Sequence, residues 1–174
     1  MLDPWEQAYL EFAGERLPVL RRLAYVLCQD WHRADDLVQG ALVQLYVHWE
    51  TVSAATDRAA YARTVLMRVF LNEKRTFWGK RVVLVDDVPD REVTREPDTA
   101  ASVTLRAALA GLPARQRAVL VLRFLSDLSV EQTAEALECS TGTVKSQTSK
   151  ALAALRRALP DPEHIDRFTS GPRS

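Results

Sequence analysis

The chain has 174 residues, with 23 Lys plus Arg against 23 Asp plus Glu. A formal net charge of zero excludes binding to nucleic acid by bulk positive charge, so any such partner has to be met by a local patch. No apolar run of about 18 residues and no basic-then-apolar start occurs, so neither membrane insertion nor a signal peptide is expected and the protein is expected to be cytoplasmic.

That length suits one large or two small domains, each with its own core. Cys28 and Cys139 lie far apart, without CxxC or nearby histidine spacing. His32, His48 and His164 do not cluster with acids at ligand spacing, and no Gly-rich phosphate loop is present. Neither a metal nor a cofactor is expected, and nothing points to an enzyme.

Residues 5–28 hold apolar residues at helical spacing broken near Gly14 and Pro18, which predicts a short helix running into a longer one. Residues 33–49 form the clearest amphipathic helix, with Ala34, Leu37, Val38, Ala41, Leu42, Leu45, Tyr46 and Trp49 on one stripe. Its other face begins with Asp35, Asp36 and Gln39. Adjacent carboxylates in a first turn complement the helix dipole, or they present an acidic face to a partner; the residues alone leave both open.

Residues 58–81 predict a further helix that turns basic towards its end. Arg63, Arg68, Lys74, Arg75, Lys80 and Arg81 stand against a single acid, Glu73, with Tyr61, Phe77 and Trp78 interleaved. Such a stretch is either a solvated, dipole-compensating helix end or a surface for single-stranded nucleic acid, where rings stack on bases and cations meet phosphates. Residues 82–101 are rich in acid and carry two prolines, which predicts a flexible acidic linker between a domain over 1–81 and another over 102–160. Pro113 is placed to open a helix whose Val119, Leu120, Leu122 and Phe124 supply core. The segment 161–174, with Pro162, Gly171 and Pro172, reads as a flexible tail.

The segment Ser129–Arg157 is a helix-turn-helix. Val130, Thr133, Ala134 and Leu137 follow i, i+3, i+4, i+7 spacing, and the phase restarts after Ser140. Ser129 with Gln132 makes a capping box, and Ser140 caps the second helix. On that second helix Val144, Thr148, Ala151, Leu152 and Leu155 form an inward stripe, while Thr143, Ser146, Gln147 and Lys150 share an outward arc of about 100°. An ordinary helical hairpin has a solvated face of this kind; a helix that enters a major groove needs just these groups near its N-terminal half. Glu138 stands in the turn where glycine is usual, because left-handed backbone costs other residues roughly 1 kcal/mol.

Three segments in this order carry a resemblance: Ala34-Asp35-Asp36-Leu37-Val38-Gln39, the basic-aromatic run from Tyr61 to Arg81, and Leu112-Pro113-Ala114-Arg115-Gln116-Arg117 with Cys139-Ser140 through Gly142-Thr143-Val144-Lys145-Ser146. Together they resemble an extracytoplasmic-function sigma factor of the sigma-70 family, over nearly the whole chain. Gln147-Thr148-Ser149 resembles an actinobacterial, SigE-like subgroup. Gly40 stands where the family usually has glutamate, and Arg68 where many members carry asparagine.

The resemblance implies an all-α fold of two small helical domains, a region 2 bundle and a region 4 helix-turn-helix. It implies core RNA polymerase and promoter DNA as partners, and leaves an anti-sigma factor as an open further one. It assigns Asp35, Asp36 and Gln39 to docking on the polymerase. Tyr61, Arg63, Arg68, Asn72, Lys74, Arg75, Trp78, Lys80 and Arg81 would meet the -10 element, and Ser140, Thr141, Thr143, Lys145, Ser146, Gln147 and Lys150 the -35 element. A stand-alone repressor or activator would use the same helix-turn-helix, without needing a basic-aromatic surface in a separate domain.

Overall fold

The computed structural model describes residues 1–76, 99–161 and 163–170, with side chains described to residue 73 in the first segment. Lys74 and Arg75 lie where only the backbone is described, and Trp78, Lys80, Arg81 and most of the expected linker lie outside the described residues.

Helix α1 (Pro4–Cys28) begins with a capping box, in which the Asp3 carboxylate accepts from Trp5 N–H and Glu6 accepts from Asp3 N–H. It runs unbroken through Gly14 and Pro18, where two helices were expected. Proline removes one backbone donor, but Tyr9 and Phe12 before it and Leu20, Leu23, Ala24 and Leu27 after it are buried on one side of the helix. That tertiary burial outweighs the roughly 3 kcal/mol that an interior proline costs.

Helix α2 (Trp31–Val47) starts two residues earlier than the apolar pattern indicated, because Asp30 caps it by accepting from Arg33 N–H at 3.0 Å. Trp31 also stacks on Tyr25 at 4.1 Å. Asp35 and Asp36 therefore fall beyond the first turn, and dipole complementation is not their role. A short α3 (Trp49–Ala54) leads to α4 (Arg58–Thr76), and Trp49, Val52, Leu66, Met67 and Phe70 fill the bundle core.

After the undescribed stretch come α5 (Ala100–Ala110) and α6 (Ala114–Leu120), the latter passing into a π-helical turn over Val121–Leu125. Helices α7 (Val130–Ala136) and α8 (Thr141–Ala158) form the helix-turn-helix. A last helix, α9 (Glu163–Thr169), occupies part of the expected flexible tail: Ile165 and Phe168 are buried with Leu109, Leu112, Leu120, Ala151 and Leu155, and that burial holds the segment despite its prolines. No strand occurs among the described residues.

Separate cores were expected for the two halves, and the structure departs from this. Leu27, Leu37, Leu66 and Phe70 of the first half share one buried cluster with Ala118, Val121, Leu122, Leu128 and Val144 of the second. Arg117, only 5% exposed, stands at this seam and donates to the carbonyls of Leu109, Ala110, Leu112 and, across the seam, Leu27.

Where α2 crosses α4, a Cβ added at Gly40 would lie 3.2 Å from Val69 Cγ1, so glycine lets these helices approach closely. In a Gly40→Ala protein the gain in helix propensity, about 1 kcal/mol, should be largely cancelled by this contact. Gly40→Val, with two further carbons aimed at Val69, should cost about 1 to 3 kcal/mol in urea unfolding.

Candidate functional site

The helix-turn-helix is built as its caps indicate. Ser129 Oγ accepts from Gln132 N–H at 3.0 Å and Gln132 Oε1 accepts from Ser129 N–H at 2.9 Å. Ser140 Oγ accepts from Thr143 N–H at 3.1 Å, so Ser140 is occupied in starting the recognition helix. Between them Glu138 adopts φ 52°, the left-handed conformation for which glycine is usual. Val144, Ala151 and Leu155 are buried, and this fixes the rotation of α8.

With that rotation Thr143, Ser146 and Lys150 are exposed and Gln147 is half-buried, all on one arc. Thr141 and Lys145 are exposed too, but about half a turn round the helix from that arc. The structure thus gathers four of the seven candidate residues of this unit; Ser140 caps the start of the helix, and Thr141 and Lys145 lie away from the arc.

On α4, Tyr61, Arg68 and Asn72 fall within about 40° of one another, and Arg63 lies about 140° from Arg68. Tyr61 is half-buried against the core, and Asn72 is exposed. Arg63 is half-buried, its Nε buried without a hydrogen-bond partner. Arg68 Nε donates to the carbonyl of Ala136, in the second half of the chain, at 3.2 Å.

The motif on α2 divides. Asp35 accepts from Arg21 Nε at 2.5 Å and from its terminal nitrogen at 3.0 Å, with side chains 23% and 44% exposed for Arg21 and Asp35. That bidentate pair ties α1 to α2. Asp36 and Gln39 are exposed, and the same face continues one and two turns on through Val43, Tyr46 and Val47, also exposed. Across the α2–α4 crossing lies Glu73, whose carboxyl is raised above the usual range chiefly by burial and further by Asp36, with Arg33 opposing. Sequence reasoning missed Arg21, Glu73 and Arg117 as members of these sites. The available signal was a charged residue on an apolar stripe: Arg117 falls in phase with Leu120, Val121 and Phe124.

No group of three or more His, Cys, Asp or Glu side chains able to hold a metal ion occurs among the described residues, and Cys28 and Cys139 are free thiols. No helix among them is long and apolar enough to cross a membrane.

A helical bundle with an exposed polar helix face, joined to a helix-turn-helix with a free recognition arc, defines a two-part DNA-binding transcription protein. The Sigma-70 region 2 family model matches residues 13–78, and the Sigma-70, region 4 model matches residues 102–155. The chain is 36% identical over 155 residues to the RNA polymerase sigma-E factor of Streptomyces coelicolor, covering 86% of this chain and 84% of that protein. It is 33% identical over 150 residues to the ECF RNA polymerase sigma factor SigL of Mycobacterium tuberculosis, covering 83% and 85%. A solved structure of the sigma factor RpoE in complex with the anti-sigma factor NepR from Bartonella quintana matches with a TM-score of 0.69 at 24% identity, covering 90% of this chain and 99% of that one, and so shares its fold. The chain belongs to the sigma-70 family, in its extracytoplasmic-function group. As a sigma factor it binds core RNA polymerase and directs promoter recognition and melting for transcription initiation.

The division between Asp35 and Asp36 is open to measurement. Asp35→Ala should lower unfolding stability by about 1 kcal/mol by removing a well-aligned, partly buried pair, and Arg21→Ala should reproduce the loss without adding to it in the double variant. Asp36→Ala should leave stability unchanged within about 0.5 kcal/mol in the same urea titrations.

Proposed function

We propose that the exposed face of α2 carrying Asp36 and Gln39 docks on core polymerase. The observation supporting this is that these two side chains of the motif are free of the fold, while Asp35 is committed to Arg21. Asp35 then acts by holding α2 in place rather than by touching the polymerase. The -10 element is met by the Tyr61, Arg68 and Asn72 face of α4 together with Lys74, Arg75, Trp78, Lys80 and Arg81, and Arg63 lies to one side of it. Unstacked bases bound there offset the few kcal/mol of unpairing per base. The -35 element is read by the arc Thr143, Ser146, Gln147 and Lys150, with Ser140 capping the start of the helix and Thr141 and Lys145 off the arc, about half a turn round the helix.

In this reading residues 1–81 form the polymerase and -10 domain, 82–101 the connection, and 102–160 the -35 domain. The chain has no catalytic residue of its own, needs no cofactor, and works in the cytoplasm with the polymerase. An anti-sigma factor is a further partner, by analogy with the Bartonella sigma factor solved with one.

Two experiments test the assignments. Asp36→Ala/Gln39→Ala should weaken binding to purified core polymerase at least tenfold, about 1.4 kcal/mol, with helix content by circular dichroism unchanged. An unchanged affinity would remove these residues from the docking surface. On α8, glutamine makes a bidentate contact to adenine worth about 1 to 3 kcal/mol of discrimination, while an exposed lysine is suited to a phosphate. Gln147→Ala should therefore flatten preference at one upstream base pair, and Lys150→Ala should weaken all promoters alike and lower the salt slope by about one unit. Run-off transcription from a library with randomised upstream elements, repeated at several salt concentrations, separates the two.

A further inference from the structure

Helix α9 follows the recognition helix and lies outside the region 4 segment of the family. Seven residues do not hold a helix alone in water. Its own polar contacts are local and exposed: Asp161 accepts from Glu163 N–H at 3.0 Å, and Glu163 pairs with Arg167 at 3.7 Å. Its contact with the other helices is made by Ile165 and Phe168, 1% and 8% exposed, which enter the core of Leu109, Leu112, Leu120 and Leu155. The Phe168 ring also meets that of Phe124, in the π-helical turn, at 5.5 Å.

Two separate cores seat the recognition helix. Val144, near its start, belongs to the cluster that includes Ala118, Leu122 and Ala134, while Ala151 and Leu155 belong to the cluster that Ile165 and Phe168 complete. From Val144 to these two is about 10 to 17 Å along the axis. One seat fixes a point on a helix; two fix its direction. Gln147 and Lys150 lie between the seats, so where they point depends on both. A contact to a base edge tolerates only about 0.5 Å and 10–20° of error, whereas a lysine on its flexible stem follows a phosphate through such a shift.

We propose that α9 is a strap that positions the recognition helix, with Phe168 and Ile165 as positioning residues for reading the -35 element. The proposal rests on the -35 reading above and extends the unit that performs it to residue 169. Both side chains are buried, so they act through α8 and not by touching DNA. Phe168 braces α8 against the π-helical turn, because its ring meets Phe124 and shares the core of Leu155. Removing the ring leaves a void on which the surrounding helices close only in part. The second seat of α8 then gives, and the outward arc turns with it.

The test is run-off transcription by the full-length protein with purified core polymerase, from a library randomised at the upstream element. The readout is the ratio of output between the best and worst base at each upstream position. That ratio is set by the molecules that transcribe, so it does not depend on how much of a variant is folded. Phe168→Ala should lower it several-fold and leave the salt slope, to which Lys150 contributes, unchanged. Phe168→Leu, which refills most of the space, should restore most of the ratio, and Arg167→Ala, on the exposed side of α9, should leave it at the wild-type value. Ile165→Val, a smaller cut in the same core, should act in the same direction and decides the matter if Phe168→Ala does not fold. A wild-type ratio in variants whose total output falls would mean that α9 only stabilises the fold, and would overturn the proposal. So would an equal loss of ratio in Arg167→Ala, which would put a partner on the outer face of α9. If the wild type itself shows no base preference at any upstream position, the -35 reading fails and the strap with it; a preference indifferent to Phe168 and Ile165 sinks the strap alone.

Discussion

The structure depends on a buried cation, Arg117. Among the described residues it has no carboxylate partner; its guanidinium is held by the carbonyls of Leu109, Ala110 and Leu112, at and just past the end of α5, and of Leu27, at the end of α1. Carbonyls at helix C-termini lack intrahelical donors and carry the negative end of the helix dipole. A planar group with five donors satisfies several of them at once, which lysine does not. Burial pushes the guanidinium below its usual range, yet arginine stays charged, so the same contact persists across the pH range in which the protein works.

From that anchor the rest of the second half is placed. Arg117 fixes α6 against the end of α5, α6 passes through a π-helical turn, and the Ser129 capping box then sets the start of α7. Val144, Ala151 and Leu155 seat α8 against this frame, so the outward arc is exposed as a consequence of what is buried. In the bundle, close approach at Gly40 and Val69 and the Arg21–Asp35 pair fix α2 by its inner side and leave Asp36 and Gln39 outside.

What was legible in the sequence was whatever is decided within a turn or two of chain. The apolar stripe of α2 from Ala34 to Leu45, both caps of the helix-turn-helix and the strained conformation of Glu138 follow from spacing and residue type, and the structure carries each of them, whereas Tyr46, expected on that stripe, is exposed and Trp49 begins α3. What was not legible depends on residues distant in sequence. Pro18 lies inside a continuous helix because Leu20 to Leu27 are buried beyond it. Residues 163–169 are helical because Ile165 and Phe168 find Leu109 and Leu155. Two adjacent aspartates of one motif differ because they point about 100° apart, one towards Arg21 and one to solvent.

The same geometry bears on why such a protein is used as a subunit. Among the four gathered residues of the proposed recognition arc only Lys150 is charged, so on that reading phosphate neutralisation by this arc is small and its isolated affinity for duplex should be weak. Weakness here is compatible with selectivity, because contacts to base edges carry discrimination while phosphate contacts carry strength. Polymerase holds two such weak grips at the spacing of the promoter, converting the second contact into an intramolecular one and supplying the missing strength by effective concentration. On the proposed reading a chain of zero net charge should discriminate promoters only in the assembly that uses them, and a stronger recognition helix would bind duplex without polymerase and lose that dependence.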